Sequence, residues 1–223
     1  GETAKHLYVF QRTPSSIDVR ANRSTDEAFV NTLEPGWQYR RMDNFNILVS
    51  GGDQEEDLVA DGWTEIFRNL TGIAAKSAAR ELGRRLSSKE KGRMMELLDF
   101  QKMNQVRARV DEIVTDPATA EALKPWYRQF CKRPCFHDEY LPTFNRPNVT
   151  LVDTSGKGVE RITERGIVVD GKEYEVDCII FATGFEVGTS YTRRAGYEII
   201  GRDGLTLTDN GIAEDGDRAY KKG

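Results

Sequence analysis

Short apolar runs near both ends of the chain predict strands, and the residues between them have helical spacing. Leu7–Gln11 is apolar, contains two aromatic residues and ends at a proline-containing turn, which is typical of a buried parallel strand. Val149–Asp153 predicts a second strand. From about residue 24 to 126 the apolar positions recur at the period of a helix. The pattern therefore predicts a strand, a long helical segment and a return to strands.

The helical segment contains two sequence signals for the N-terminus of a helix. Ser87 and Glu90 have the spacing of a capping box, in which each side chain bonds the other residue's backbone N–H. Asp116-Pro117 predicts a second start, with aspartate as N-cap and proline at the first helical position. That helix must end before Pro125.

The last third of the chain has a β pattern. Val159–Thr163 and Gly166–Val169 predict strands, and Asp170-Gly171 predicts a two-residue hairpin turn into Glu173–Val176. Cys178–Ala182 is apolar and predicts a further buried strand. We therefore expect a doubly wound α/β domain that is interrupted by a helical subdomain.

The composition of the chain argues against several classes of protein. The chain has 223 residues, of which 38% are hydrophobic and 30% charged, and its formal charge is -4. The acidic balance argues against nucleic-acid binding, which favours a basic excess. The sequence contains neither an apolar run of membrane-spanning length nor an apolar leader at its first residues. Three cysteines are too few for a disulfide framework, so we expect a soluble protein of the cytoplasm.

Two pairs of adjacent residues, one with a single cation and one with two, could bind an anionic cofactor. In a dinucleotide-binding fold an arginine after the second strand accommodates the 2′-phosphate of NADP, and Arg12 with Thr13 would suit that place. An arginine capping a strand end on the surface is the alternative. Lys132 and Arg133 are adjacent cations after an aromatic run. They could pair with an anion, or they could be a surface pair with solvated head groups.

Other chemistries have weaker support. Cys131, Cys135 and His137 lack a convincing fourth ligand, so we expect no metal site. The sequence has two histidines and no nucleophile elbow, which argues against a hydrolase triad. Ala182-Thr183-Gly184 follows a predicted strand as a turn where backbone could approach a cofactor closely.

Four motifs, taken together and in order, resemble the type I Baeyer–Villiger monooxygenases. The motifs are Val9-Phe10-Gln11-Arg12-Thr13-Pro14, Lys132-Arg133-Pro134, Tyr140-x3-Phe144-Asn145-Arg146-Pro147-Asn148-Val149 and Asp177-x4-Ala182-Thr183-Gly184-Phe185. The resemblance extends from about residue 4 to about residue 209. It implies an FAD- and NADPH-dependent enzyme that uses O2 to oxidise a ketone, bulky or cyclic, to an ester or lactone through a peroxyflavin.

The resemblance also implies a role for each site residue. Arg12, Thr13 and Lys132 would hold the 2′-phosphate of NADP. Arg133 would lie beside the flavin and nicotinamide as the catalytic cation. Ala182, Thr183 and Gly184 would lie at the junction of the FAD and NADP domains. Glu186 stands where the family often has aspartate.

The resemblance divides the chain into four segments. We expect residues 1–23 and 129–176 to form a Rossmann-like NADP-binding part, 24–128 a helical insertion, and 177–223 the return to the FAD domain with a frayed end. No G-x-G-x-x-G is present, so we expect an internal piece that needs the rest of the enzyme chain. A non-catalytic NADP-binding fragment and an N- or S-oxygenating flavin monooxygenase are the alternatives.

Overall fold

Helices and strands follow one another along the residues described by a computed structural model: 1–52, 54–70, 79, 82–184 and 189–208. The strands are β1 (Leu7–Gln11), β2 (Ile17–Asp18), β3 (Cys135–Phe136), β4 (Val149–Asp153), β5 (Arg161–Ile162), β6 (Gly166–Val169) and β7 (Lys172–Glu175). The helices are α1 (Glu27–Asn31), α2 (Trp37–Val49), α3 (Gly62–Leu70), α4 (Ser88–Ile113), α5 (Pro117–Leu123), α6 (Tyr140–Thr143) and α7 (Tyr191–Ala195). Gln129–Cys131 and Arg202–Gly204 are short 3-10 turns.

Two parallel strand pairs connect the beginning of the chain with its middle. The two predicted strands are confirmed, and β1 pairs with β4 from Leu7 opposite Val149 to Gln11 opposite Asp153. β2 pairs with β3 in the same sense. Parallel neighbours need a long crossover connection, and the helices α1 to α5 lie within it. The result is a mixed helix and strand architecture.

Local sequence signals set the ends of the two helices that follow. The capping box at Ser87 and Glu90 opens α4, with both reciprocal hydrogen bonds present. Asp116 caps α5 by accepting a hydrogen bond from the Thr119 backbone N–H, and α5 ends at Leu123 before Pro125. Both starts and the stop before proline are confirmed.

The main apolar core joins α4, α5 and α6 to the parallel pair. Its buried members are Val110, Val114, Ala120, Leu123, Leu141, Phe144 and Val149. Each valine, leucine or phenylalanine side chain among them contributes about 1.5–3 kcal/mol when it leaves water. Among the described residues, no helix is long and apolar enough to cross a membrane.

A partly buried group of three charged side chains links the helical insertion to strand β2. Lys102 of α4 lies 2.7 Å from an Asp18 oxygen on β2 and 2.9 Å from a Glu65 oxygen on α3. Burial alone would lower the pKa of Lys102, but hydrogen bonds to Asp18 and Glu65 outweigh it, so the pKa is raised. Lys102 therefore stays charged and joins three elements that are distant in sequence.

Lys102→Met is expected to destabilise the protein by about 3 kcal/mol, because removing the lysine leaves the carboxylate of Asp18 buried without its partner charge. The side chain of Asp18 is only 15% exposed, so water cannot fully replace the ammonium group. Urea unfolding at neutral pH measures the loss. Lys91→Met on the exposed face of α4 is the matched control, and an equal loss in both variants would contradict a role for the triad.

The predicted hairpin region forms a small antiparallel sheet. β6 and β7 pair around the Asp170-Gly171 turn, whose residues both have positive φ. The strand predicted over Val159–Thr163 is shorter: it is confined to Arg161–Ile162, which lie opposite Val168 and Ile167 of β6. The hairpin packs against β1 through Tyr174, whose ring centroid lies 5.4 Å from that of Phe10.

The strand predicted over Cys178–Ala182 is wrong for the described structure. The chain divides into two compact units, Gly1–Glu175 and Val176–Gly223, and Cys178–Ala182 belongs to the second. These residues have no strand geometry, and Ile180 and Phe181 are 85% and 70% exposed. A strand requires a neighbour to accept and donate its ladder hydrogen bonds, and no described segment does so. Residues 209–223, most of the predicted frayed end, lie outside the described residues.

Candidate functional site

Two of the predicted phosphate ligands leave the sheet together at the end of β1. Gln11 is buried, and its backbone carbonyl accepts hydrogen bonds from the Thr154 backbone at 2.8 Å and the Thr154 hydroxyl at 3.0 Å. The next two residues, Arg12 and Thr13, are exposed. The hydrogen-bonded carboxyl end of β1 therefore places the Arg12 guanidinium and the Thr13 hydroxyl in solvent. The carboxyl ends of parallel strands are where α/β proteins bind ligands.

Lys132 joins Arg12 at this edge. Partial burial lowers the pKa of Lys132, and the positive charge of Arg12 lowers it further. Across the described residues, no carboxylate lies within ion-pair distance of either cation. Two like charges held close without a counter-ion suit an anionic ligand, and a phosphate would relieve their repulsion.

Arg133 points to a different environment. Its side chain is exposed, and its guanidinium carbon lies 6.0 Å from the ring centroid of Trp63 on α3. Trp63 packs edge-on against Phe136 with centroids 5.2 Å apart. α3 approaches Phe136 so closely that a Cβ on Gly62 would lie 2.2 Å from the Phe136 ring. The helical insertion thus supplies an aromatic face beside the predicted catalytic arginine.

The segment that leads to Lys132 and Arg133 is held by contacts to α4. Asp99 of α4, which is buried, accepts a hydrogen bond from the Gln129 backbone N–H at 3.0 Å at the start of the 3-10 turn. Arg107 of α4 donates to the Pro125 carbonyl at 2.9 Å. These contacts span 30 and 18 residues of sequence, so no local pattern indicates them. Asp99, Trp63 and Tyr127 are site-supporting residues that the sequence motifs do not identify.

The third predicted element, the turn Ala182-Thr183-Gly184, belongs to the second compact unit. All three residues are exposed, and Gly184 has a φ of +85°. A side chain is strained in this conformation, so glycine keeps the backbone open to a close approach. Phe185 and Glu186, which continue the motif, lie outside the described residues.

The cysteine cluster forms no metal site in the described part of the chain. Cys131 and Cys178 are exposed and Cys135 is half-buried, all as free thiols. The described residues include no group of three or more histidine, cysteine, aspartate or glutamate side chains placed to hold an ion.

Comparison with known proteins identifies relatives over nearly the whole chain. The chain is 59% identical over 210 residues to neopentalenolactone D synthase of Streptomyces avermitilis, covering 93% of the chain and 34% of that relative. It is 55% identical over 207 residues to Baeyer–Villiger monooxygenase ATR8 of Stachybotrys chlorohalonatus, covering 93% and 32%. The chain is related to the Baeyer–Villiger monooxygenases. It spans about a third of the length of these curated relatives.

Two solved structures share the fold of this chain. The polycyclic ketone monooxygenase from the thermophilic fungus Thermothelomyces thermophila matches with a TM-score of 0.73 at 41% identity, covering 95% of this chain and 34% of that one. The crystal structure of OTEMO in complex with FAD and NADP matches with a TM-score of 0.59 at 26% identity, covering 94% and 38%. A search of protein-family models gave no match.

Proposed function

We propose that the chain supplies the NADP-binding part and the helical insertion of a Baeyer–Villiger monooxygenase. Such an enzyme uses NADPH and O2 to oxidise a ketone to an ester or lactone. The observation that carries the proposal is the pair Arg12 and Lys132, which share one edge of the fold without a carboxylate partner among the described residues. Similarity over 93% of the chain to a named Baeyer–Villiger monooxygenase supports it.

The cation pair fits the 2′-phosphate that distinguishes NADP from NAD. Arg12 offers a planar fork of donors, Lys132 a compact ammonium group and Thr13 a hydroxyl. A phosphate monoester carries about 1.5 to 2 negative charges at neutral pH and accepts several hydrogen bonds. Residues 1–23 and 129–176 would thus form the NADP-binding part around residues 24–128.

Arg133 would act beside the second cofactor. FAD, when bound and reduced, supplies the chemistry that activates O2. An arginine stays protonated at any working pH, and Arg133 would stabilise negative charge developing next to it without forming a covalent bond. The Ala182-Thr183-Gly184 turn would approach the cofactors by its backbone, as residues 177–223 lead into the FAD domain.

The substrate class follows from the relatives. The polycyclic ketone monooxygenase matches with the higher TM-score of the two structures described above, at 41% identity. We therefore propose a bulky, cyclic ketone as substrate.

The full-length protein encoded by the native gene is used to test this proposal. We expect a flavin absorption band, NADPH-dependent oxygen uptake with a polycyclic ketone, and a product that is one oxygen atom heavier. Oxidation of an amine or a sulfide with the ketone untouched would instead assign an N- or S-oxygenating enzyme. Binding of NADPH without flavin or oxygen uptake would leave a non-catalytic NADP-binding protein.

A further inference from the structure

Tyr127 contacts both segments that carry the candidate phosphate ligands. Its hydroxyl donates a hydrogen bond to the Pro14 carbonyl oxygen at 2.9 Å. Its ring centroid lies 5.6 Å from Nζ of Lys132, within the range of a cation–π contact. One side chain therefore touches the segment after β1 and the lysine that follows the 3-10 turn.

The segment after β1 needs such an anchor. The β1–β4 ladder ends at Gln11, and the next backbone hydrogen bond to β3 is accepted by the Ser16 carbonyl from the Cys135 N–H at 3.0 Å. Proline has no N–H to donate, so Pro14 can be held through its carbonyl alone. The bond from Tyr127 spans 113 residues of sequence and reaches the middle of this connection, two residues after Arg12.

The hydroxyl of Tyr127 is suited to act as a permanent donor. Burial raises the pKa of Tyr127 above its ordinary value and outweighs a backbone hydrogen bond at Ser16, which lowers the pKa; the neighbouring cysteines act in the same direction as burial. The phenol therefore keeps its proton at neutral pH and can donate it in a hydrogen bond to the Pro14 carbonyl.

The two cations would otherwise separate. Arg12 and Lys132 repel each other, and the side chains of both could swing into solvent, where each is better hydrated. The face of the tyrosine ring attracts the ammonium group, and the hydroxyl restrains the segment that bears Arg12. A site whose ligands are already in place loses less conformational entropy when it binds.

We propose that Tyr127 is a positioning residue for recognition of an adenosine 2′-phosphate. It holds Arg12, Thr13 and Lys132 at one place without touching the phosphate. The inference rests on the proposed NADP site and adds to it the residue that pre-organises the site.

Calorimetric titration of the full-length gene product with 2′-AMP tests the inference, with 5′-AMP as the ligand that lacks the 2′-phosphate. Tyr127→Phe keeps the ring and removes the anchor, so 2′-AMP should bind about fivefold more weakly, the effect of one lost hydrogen bond. Tyr127→Leu also removes the aromatic face and should weaken binding by at least about tenfold. Tyr140→Phe removes a half-buried hydroxyl from α6 and should change neither titration.

The outcomes separate this inference from the proposed function. If wild-type chain binds 2′-AMP no better than 5′-AMP, the NADP site itself is wrong, and the inference is overturned with it. If wild-type prefers 2′-AMP and Tyr127→Phe retains the full preference, the site stands and the positioning role is overturned. A parallel loss of melting temperature and of 5′-AMP binding would assign Tyr127 a structural role and would also overturn the inference.

Discussion

Arg133→Ala is expected to abolish ketone oxygenation in the flavin-loaded enzyme while reduction of FAD by NADPH largely survives. Removal of one preorganised electrostatic group from an active site costs about 10²- to 10³-fold in rate. Hydride transfer from NADPH to the flavin does not develop negative charge beside Arg133. The rate of flavin reduction should therefore fall much less than the rate of oxygenation. Anaerobic stopped-flow absorbance measures the reduction, and mass analysis of the product measures the oxygenation.

The matched control for this prediction is Arg128→Ala. Arg128 lies five residues earlier, is also exposed and pairs with Glu96 of α4. Its loss should leave both half-reactions near the wild-type rates. Arg133→Lys keeps the charge but not the planar guanidinium above Trp63, and it should recover part of the oxygenation. Equal ester formation by Arg133→Ala and wild type would contradict the catalytic role.

Replacing Arg12, Thr13 and Lys132 together is expected to weaken NADPH binding much more than NADH binding. The triple variant Arg12→Gln, Thr13→Ala, Lys132→Gln should lose about 1 to 3 kcal/mol for each charged hydrogen bond to the 2′-phosphate. Titrations with both cofactors give the ratio of dissociation constants. Lys89→Gln with Arg93→Gln removes two exposed cations from α4 and should leave the ratio unchanged.

The same triple variant has a second expected result. Arg12 and Lys132 repel each other in the free protein, and the described residues offer them no carboxylate partner. Their removal should therefore leave the melting temperature unchanged or slightly higher. A lower melting temperature with equal losses for NADPH and NADH would indicate misfolding and would contradict the assignment of these residues to the 2′-phosphate.

The parts of the fold that were predictable are those set by neighbouring residues. The capping box at Ser87 and the Asp116-Pro117 start depend on three or four consecutive positions, and both lie where predicted. β1 and β4 follow from apolar runs of strand length, although their pairing joins residues more than a hundred positions apart. The strand over Cys178–Ala182 was predicted from its apolar run, but an apolar run cannot supply the partner that a strand needs.

The family motifs name the candidate site residues, which stay predictions, whereas the residues that support them come together only on folding. Arg12 and Lys132 were expected to share a phosphate because of the family resemblance, and the structure places their charges close enough to interact. Tyr127, Trp63 and Asp99 belong to none of the four family motifs, since each acts through a contact across a long stretch of sequence. Long-range contacts of this kind depend on the whole packing of α3, α4 and the strands.

The central claim is that Arg12, Thr13 and Lys132 form a site for the 2′-phosphate of NADP. Titration of the wild-type chain with 2′-AMP at low and high salt tests it most directly. We expect binding that 5′-AMP does not match and that weakens as salt screens the exposed Arg12 and the partly buried Lys132. Equal binding of 2′-AMP and 5′-AMP, or binding of 2′-AMP that is unaffected by salt, would contradict the claim.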